Sequence, residues 1–287
     1  MEHSIDKKNL GFLGSMKAFS GALGSILCVI VIYICQKLTG DNYNIWGWRL
    51  TYYFCFIMGI IGFSTRYMTE ETVAYKLQDK NNNLSLTPFL ELISDYKKVF
   101  MIGIGLGMAQ NAIVYSVLMF YNMSLKELIV SGIDIRNVIR IVVEIVFASS
   151  AVIFAILSDR IGRKNIMVPV LLFFSFISLP ILSLLSSEIQ YVVVFSYLLL
   201  SIPLGASFGI YNSIVCELFP TKVRCIGLSL AHNISAGILG GISPAICTWL
   251  IKKSGTNIAA GFYLTTCALI SLICMLQIRK KDSKIDW

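Results

Sequence analysis

The chain has 287 residues, of which 56% are hydrophobic and only 14% charged, whereas a soluble domain carries about 25% charge. With a mean hydropathy of +0.75, this excludes an ordinary soluble domain and points to a polytopic membrane protein. The net charge of +8 then becomes a question of where the basic residues fall relative to the membrane, rather than a sign of nucleic-acid binding.

Eight apolar runs of spanning length are predicted as transmembrane helices, roughly 11–36, 48–68, 98–122, 137–157, 165–185, 191–215, 226–251 and 258–278. The expected fold class is therefore all-α. Barrel-type alternation is absent, and lipid requires every backbone group to be satisfied internally. Met1–Leu10 is polar and leads into a helix too long for a signal peptide. The eight cysteines lie mostly inside apolar runs and form no Cys-x-x-Cys. They read as small buried side chains, not as a disulfide or metal framework.

An even number of spans places both termini on one side. Sixteen Lys and Arg fall on that side and seven on the other. The positive-inside rule puts both termini in the cytoplasm. The one long connector on that side, Thr69–Lys97, contains Asn81-Asn82-Asn83 and Pro88. Its composition is that of a linker with a short surface helix.

Several polar residues fall inside the spans. Glu144 is the one acidic residue of sixteen well inside an apolar run. It lies seven residues past Asn137, so about 10 Å into a core about 30 Å thick. Arg140 is four residues earlier, on the same helix face. Either the two neutralise each other, or Glu144 is a proton-titrating carboxylate. Lys17 lies about 10 Å along the first span. Its stem can snorkel back to the helix start, or its ammonium can meet a substrate carboxylate. Gln110, Asn111 and Tyr115 cluster in the third span, and His232 and Asn233 lie in the seventh. Such side chains glue helices together or line a cavity. A histidine can also titrate near physiological pH.

Four motifs fall in a fixed order: Trp46-Gly47-Trp48-Arg49; Ala155-Ile156-Leu157-Ser158-Asp159-Arg160-Ile161-Gly162-Arg163-Lys164; Glu217-Leu218-Phe219-Pro220-Thr221-Lys222-Val223-Arg224; and His232-Asn233 followed by Gly240-Gly241-Ile242-Ser243-Pro244. The second resembles the Gly-x-x-x-Asp-Arg-x-Gly-Arg-Arg/Lys loop of the major facilitator superfamily. Together the four resemble its metabolite:proton symporter branch, from about Gly11 to about Ile278. Ala155 stands where that loop opens with Gly, and Val73 where a Pro is usual.

The resemblance aligns the eight spans with helices 5–12 of the major facilitator fold. It implies that 1–68 holds the last two helices of the N-terminal half and 69–97 the central linker. It makes 98–278 the six-helix C-terminal half and 279–287 a cytoplasmic tail. It implies a symporter in the bacterial inner membrane that moves a small solute with protons by alternating access. The solute would be an osmoprotectant such as proline or betaine, or an organic acid such as oxoglutarate. No cofactor is expected, and no metal-ligand cluster, nucleophile motif or phosphate loop supports an enzyme. The alternatives are a non-transporting remnant and one part of a split transporter with a separately encoded N-terminal part.

In the family, the Asp of the loop latches the inward side closed. Here that implies Asp159, with Arg160, Gly162 and Arg163, facing the start of the first span near Gly11–Ser15. The bland alternative is a solvated basic turn. Glu217 and Arg224 read either as a second ion pair in that gate or as ordinary charges beside a Pro-terminated helix end. The polar side chains of the third and seventh spans resemble the family's cavity lining.

Overall fold

A computed structural model describes residues 10–69, 87–124, 129–130, 133–187 and 189–278. Each predicted run forms helix. In chain order these are α1 (Leu10–Thr39), α2 (Trp48–Met68), α3 (Pro88–Asp95), α4 (Lys97–Ser124), α5 (Ile135–Ile161), α6 (Arg163–Leu185), α7 (Gln190–Leu218), α8 (Thr221–Asn233), α9 (Gly241–Ser254) and α10 (Asn257–Gln277). A short 3₁₀ turn, Gly40–Asn44, follows α1. The two-residue strands β1 (Ile129–Val130) and β2 (Ile133–Asp134) pair antiparallel before α5. α3 is the short helix expected in the connector; most of that linker, and the tail, lie outside the described residues.

Among the described residues, seven helical stretches are long and apolar enough to cross a membrane. α2, expected as one of eight spans, is a helix of 21 residues but falls short in apolarity. Trp48, Arg49, Thr51, Tyr52 and Tyr53 crowd one end, and Arg66 and Tyr67 the other. α2 packs on α1 and buries none of its residues.

The predicted run 226–251 is divided. Between α8 and α9, Ile234–Gly240 winds as a π-helix. Pro244 explains the break, since it lacks an N–H and its ring displaces the carbonyl four residues back, at Gly240. The Ser243 hydroxyl satisfies the Leu239 carbonyl at 2.7 Å.

Among the described residues α4 is the most enclosed span, wrapped by α7, α8, the π-helix, α9 and α10. Leu106, Ile113, Phe174, Tyr211 and Phe219 anchor the core around it. The remaining close contacts are made by small residues, as expected where lipid supplies no hydrophobic drive between helices. α1 buries Gly11, Gly14, Ser15, Ala18 and Ala22 against α5 and α7. On α7, Gly209 lies against the Ala151 backbone of α5, where an added Cβ would stand 2.9 Å from a carbonyl carbon. Gly209→Val is therefore expected to destabilise the bundle by about 1–3 kcal/mol through overpacking. The reading is the temperature at which the detergent-solubilised chain loses its monodisperse peak.

Candidate functional site

Two polar arrangements stand out, and α1 takes part in both. The first lies where α5 turns into α6. Gly162 makes that turn with φ +96°, a conformation that disfavours a side chain, and its N–H donates to the Ser158 carbonyl at 3.0 Å. The turn leaves Asp159 in the last coil of α5 and Arg163 at the start of α6. Asp159 accepts from the Gly11 amide at 2.8 and 2.9 Å and from the Phe12 amide at 3.3 Å. These amides belong to the first turn of α1, which has no partner within its own helix and carries the positive end of the helix dipole. A Cβ on Gly11 would lie 2.7 Å from Asp159 Oδ1, so a bare backbone is needed there.

Arg163 ties the carboxylates together. Its Nη2 lies 3.4 Å from Asp159, and its Nε donates to Glu217 Oε1 at 2.6 Å. One guanidinium thus links the starts of α1 and α6 to the ends of α5 and α7. Glu217 thus pairs with Arg163, where one of the two readings had paired it with Arg224. The chain turns at Pro220, and Arg224 Nε donates back to the Phe219 carbonyl at 3.1 Å. Arg160 is exposed, and Lys164 donates to the Leu276 and Ile278 carbonyls at the end of α10.

The second arrangement is a cavity of about 230 Å³ between α1, α5, α7 and α8. Its polar lining is Lys17, Ser25, Glu144, Asn212 and His232. Its apolar wall includes Phe147 and Phe208, edge to face with centroids 5.6 Å apart. Glu144 accepts from the Ser25 hydroxyl of α1 at 2.7 Å. It forms no ion pair with Arg140, the contact that one of the two readings required. The carboxylate turns across to α1, and Arg140 Nε is buried without a hydrogen-bond partner. A neighbouring apolar chamber of about 220 Å³ shares Glu144, Phe147 and Phe208 with the polar cavity.

Of the polar residues expected to line a cavity, Glu144 and His232 do so here. Gln110, Asn111, Tyr115 and Asn233 are not part of this lining. Gln110 and Asn111 are buried and join helices. Ser207 donates to Gln110 Oε1 at 2.7 Å, and Asn111 Nδ2 donates to the Gly107 carbonyl and to Ser235 at 2.8 and 2.9 Å. Tyr115 packs where Gly240 leaves room, and Asn233 is exposed. Sequence reasoning missed Ser25, Asn212 and the two phenylalanines. A polar residue level with Glu144 was the only signal for Ser25.

These features define a polytopic helical membrane protein with an open cavity between its helices, where several polar side chains meet. The profile of the Major Facilitator Superfamily matches residues 2–244, and the chain belongs to that superfamily. It is similar to the glycine betaine/proline/ectoine/pipecolic acid transporter of Dickeya dadantii, at 29% identity over 99% of this chain and 58% of that protein. It is 28% identical to the proline/betaine transporter of Escherichia coli strain K12, with the same coverage. An inner membrane metabolite transport protein of the same strain is 26% identical over 92% of this chain and 60% of its own length. The chain thus spans less than two thirds of these curated relatives. Their names are those of transporters, not enzymes.

Proposed function

We propose that this chain works in a proton-coupled symporter for a small zwitterion, with proline or glycine betaine as the solute. The observation that carries the reading is the cavity between α1 and the later helices, where Glu144 sits as the one carboxylate. A carboxylate held at that depth in a span is suited to carry a proton across. The names of the relatives support the solute.

In this reading eight helices cross the bacterial inner membrane, α2 among them, and correspond to helices 5–12 of the superfamily. Both termini face the cytoplasm, as the basic residues indicate. Residues 1–68 belong to one half and 98–278 to the other, with 69–97 linking them. The cavity opens alternately to either side. Asp159, which holds the first turn of α1, forms the cytoplasmic gate with Arg163 and Glu217; Gly162 shapes it, and Arg160 and Arg224 flank it. Helices supplied by the rest of a longer protein, or by a separately encoded part, complete the wall beside α1 and α2. A second reading is a chain without transport of its own.

Uptake by membrane vesicles containing the chain separates the readings. Uptake of labelled proline or glycine betaine that a protonophore collapses supports symport. Uptake of oxoglutarate instead moves the solute to the organic acids. No uptake of any of the three, with insertion verified, rules out autonomous transport of them.

A further inference from the structure

The cavity holds a cation that the proton chemistry does not use. Lys17 lies seven residues into α1, about 10 Å along the helix, where an ionised side chain is costly unless it meets a partner. The residue is exposed and lines the cavity. The expected escape is back towards the helix start. Instead Nζ reaches across to Asn212 Oδ1 on α7 at 3.5 Å. Asn212 is six residues before the end of α7, so the ammonium stays about 9 Å deep. Among the described residues the ion pairs are Arg163 with Asp159 and Glu217, and Lys222 with Glu91. None involves Lys17. Beside it, His232 Nδ1 is buried without a hydrogen-bond partner, and Asn212 Nδ2 makes only a 3.4 Å contact to the Phe208 carbonyl.

The cavity's carboxylate is at the other end. Glu144 lies level with Ser25, eight residues beyond Lys17 on α1 and about 12 Å further along its axis. A compact zwitterion is too short to span that distance. Phe208, however, is one turn from Asn212 on α7, about 6 Å away, and pairs with Phe147 across the cavity. Aromatic faces attract a quaternary or secondary ammonium.

We infer that Lys17, with Asn212 and His232, seats the carboxylate of the solute, and that the Phe147–Phe208 pair holds its cationic head. Glu144 is then left free for the proton. This rests on the zwitterionic solute proposed above. It orients that solute with its negative end towards the Asp159 end of the bundle.

Equilibrium binding to the full chain in nanodiscs tests it with two probes of nearly one shape. Glycine betaine carries both charges; tert-butylacetate keeps the carboxylate and replaces the ammonium with carbon. Lys17→Met is expected to weaken both probes about tenfold or more, and Lys17→Arg to retain most of the affinity. Phe208→Leu is expected to weaken glycine betaine about fivefold and leave tert-butylacetate unchanged, removing the preference between them. Wild-type affinity for glycine betaine in Lys17→Met, or equal loss of both probes in Phe208→Leu, overturns the assignment while leaving the solute in place. Wild-type chain that binds oxoglutarate and neither probe overturns the zwitterion reading itself, and this inference with it.

Discussion

Replacing Glu144 by Gln is expected to abolish proton-driven accumulation while leaving solute exchange in place. The Ser25 hydroxyl donates to Glu144 Oε1, and the amide oxygen of Gln accepts the same bond. Shape and contact therefore survive, and only the ability to take up and release a proton is lost. One proton moved per solute is worth about 2.3 kcal/mol for each 100 mV, which corresponds to about 50-fold accumulation. Vesicles holding the unaltered chain under that potential should approach this ratio. Those holding Glu144→Gln should stop at equal concentrations inside and out, with counterflow of labelled solute unchanged. Accumulation above unity in the variant would take Glu144 out of the coupling step. Ser25→Ala should have a smaller effect, since it removes one hydrogen bond and keeps the carboxylate.

The second large effect is expected at Asp159. Removing its carboxylate leaves the first amides of α1 uncapped and Arg163 with Glu217 alone. Loss of such a cap costs about 0.5–2 kcal/mol, and a shift near the middle of that range changes a two-state population about tenfold. Asp159→Ala should therefore free the start of α1 from α5. Ser15, fully buried at that end of α1, is a suitable reporter when replaced by cysteine in a background without the native ones. Its reaction with a maleimide should be about tenfold faster in Asp159→Ala, with Asp159→Asn in between, because an amide oxygen still accepts one bond. Equal rates in all three would mean that the contact does not hold the gate shut.

Helix positions were legible because lipid imposes a simple rule on length and apolarity. Runs such as 165–185 became helices almost residue for residue. Which way each helix faces was much less legible. A span apolar all round carries no periodic stripe to reveal its inner side. So the turn of Glu144 towards Ser25 and away from Arg140 had no trace in spacing along α5. Glu217 and Arg163 are 54 positions apart, and local sequence favoured the nearer Arg224. Asn111 and Gln110 were read as cavity or glue with no means of choosing. Their partners, Ser235 and Ser207, lie on distant helices, where spacing along α4 gives no sign of them. The resemblance did point to Gly11–Ser15 as the ground opposite Asp159, which spacing alone could not have done.

The π-helix at Ile234–Gly240 has a consequence for which changes in length this region can absorb. Each π turn takes up about one residue more than an α turn, since its bonds run five residues along rather than four. Deleting a single residue there would let α8 and α9 run on as one regular helix. The same deletion would leave His232 and Pro244 in nearly their present relative rotation, because the π segment already absorbs the extra residue. A one-codon deletion in the regular turns of α8 has no such extra residue to give up, and it would shift the phase by about 100°.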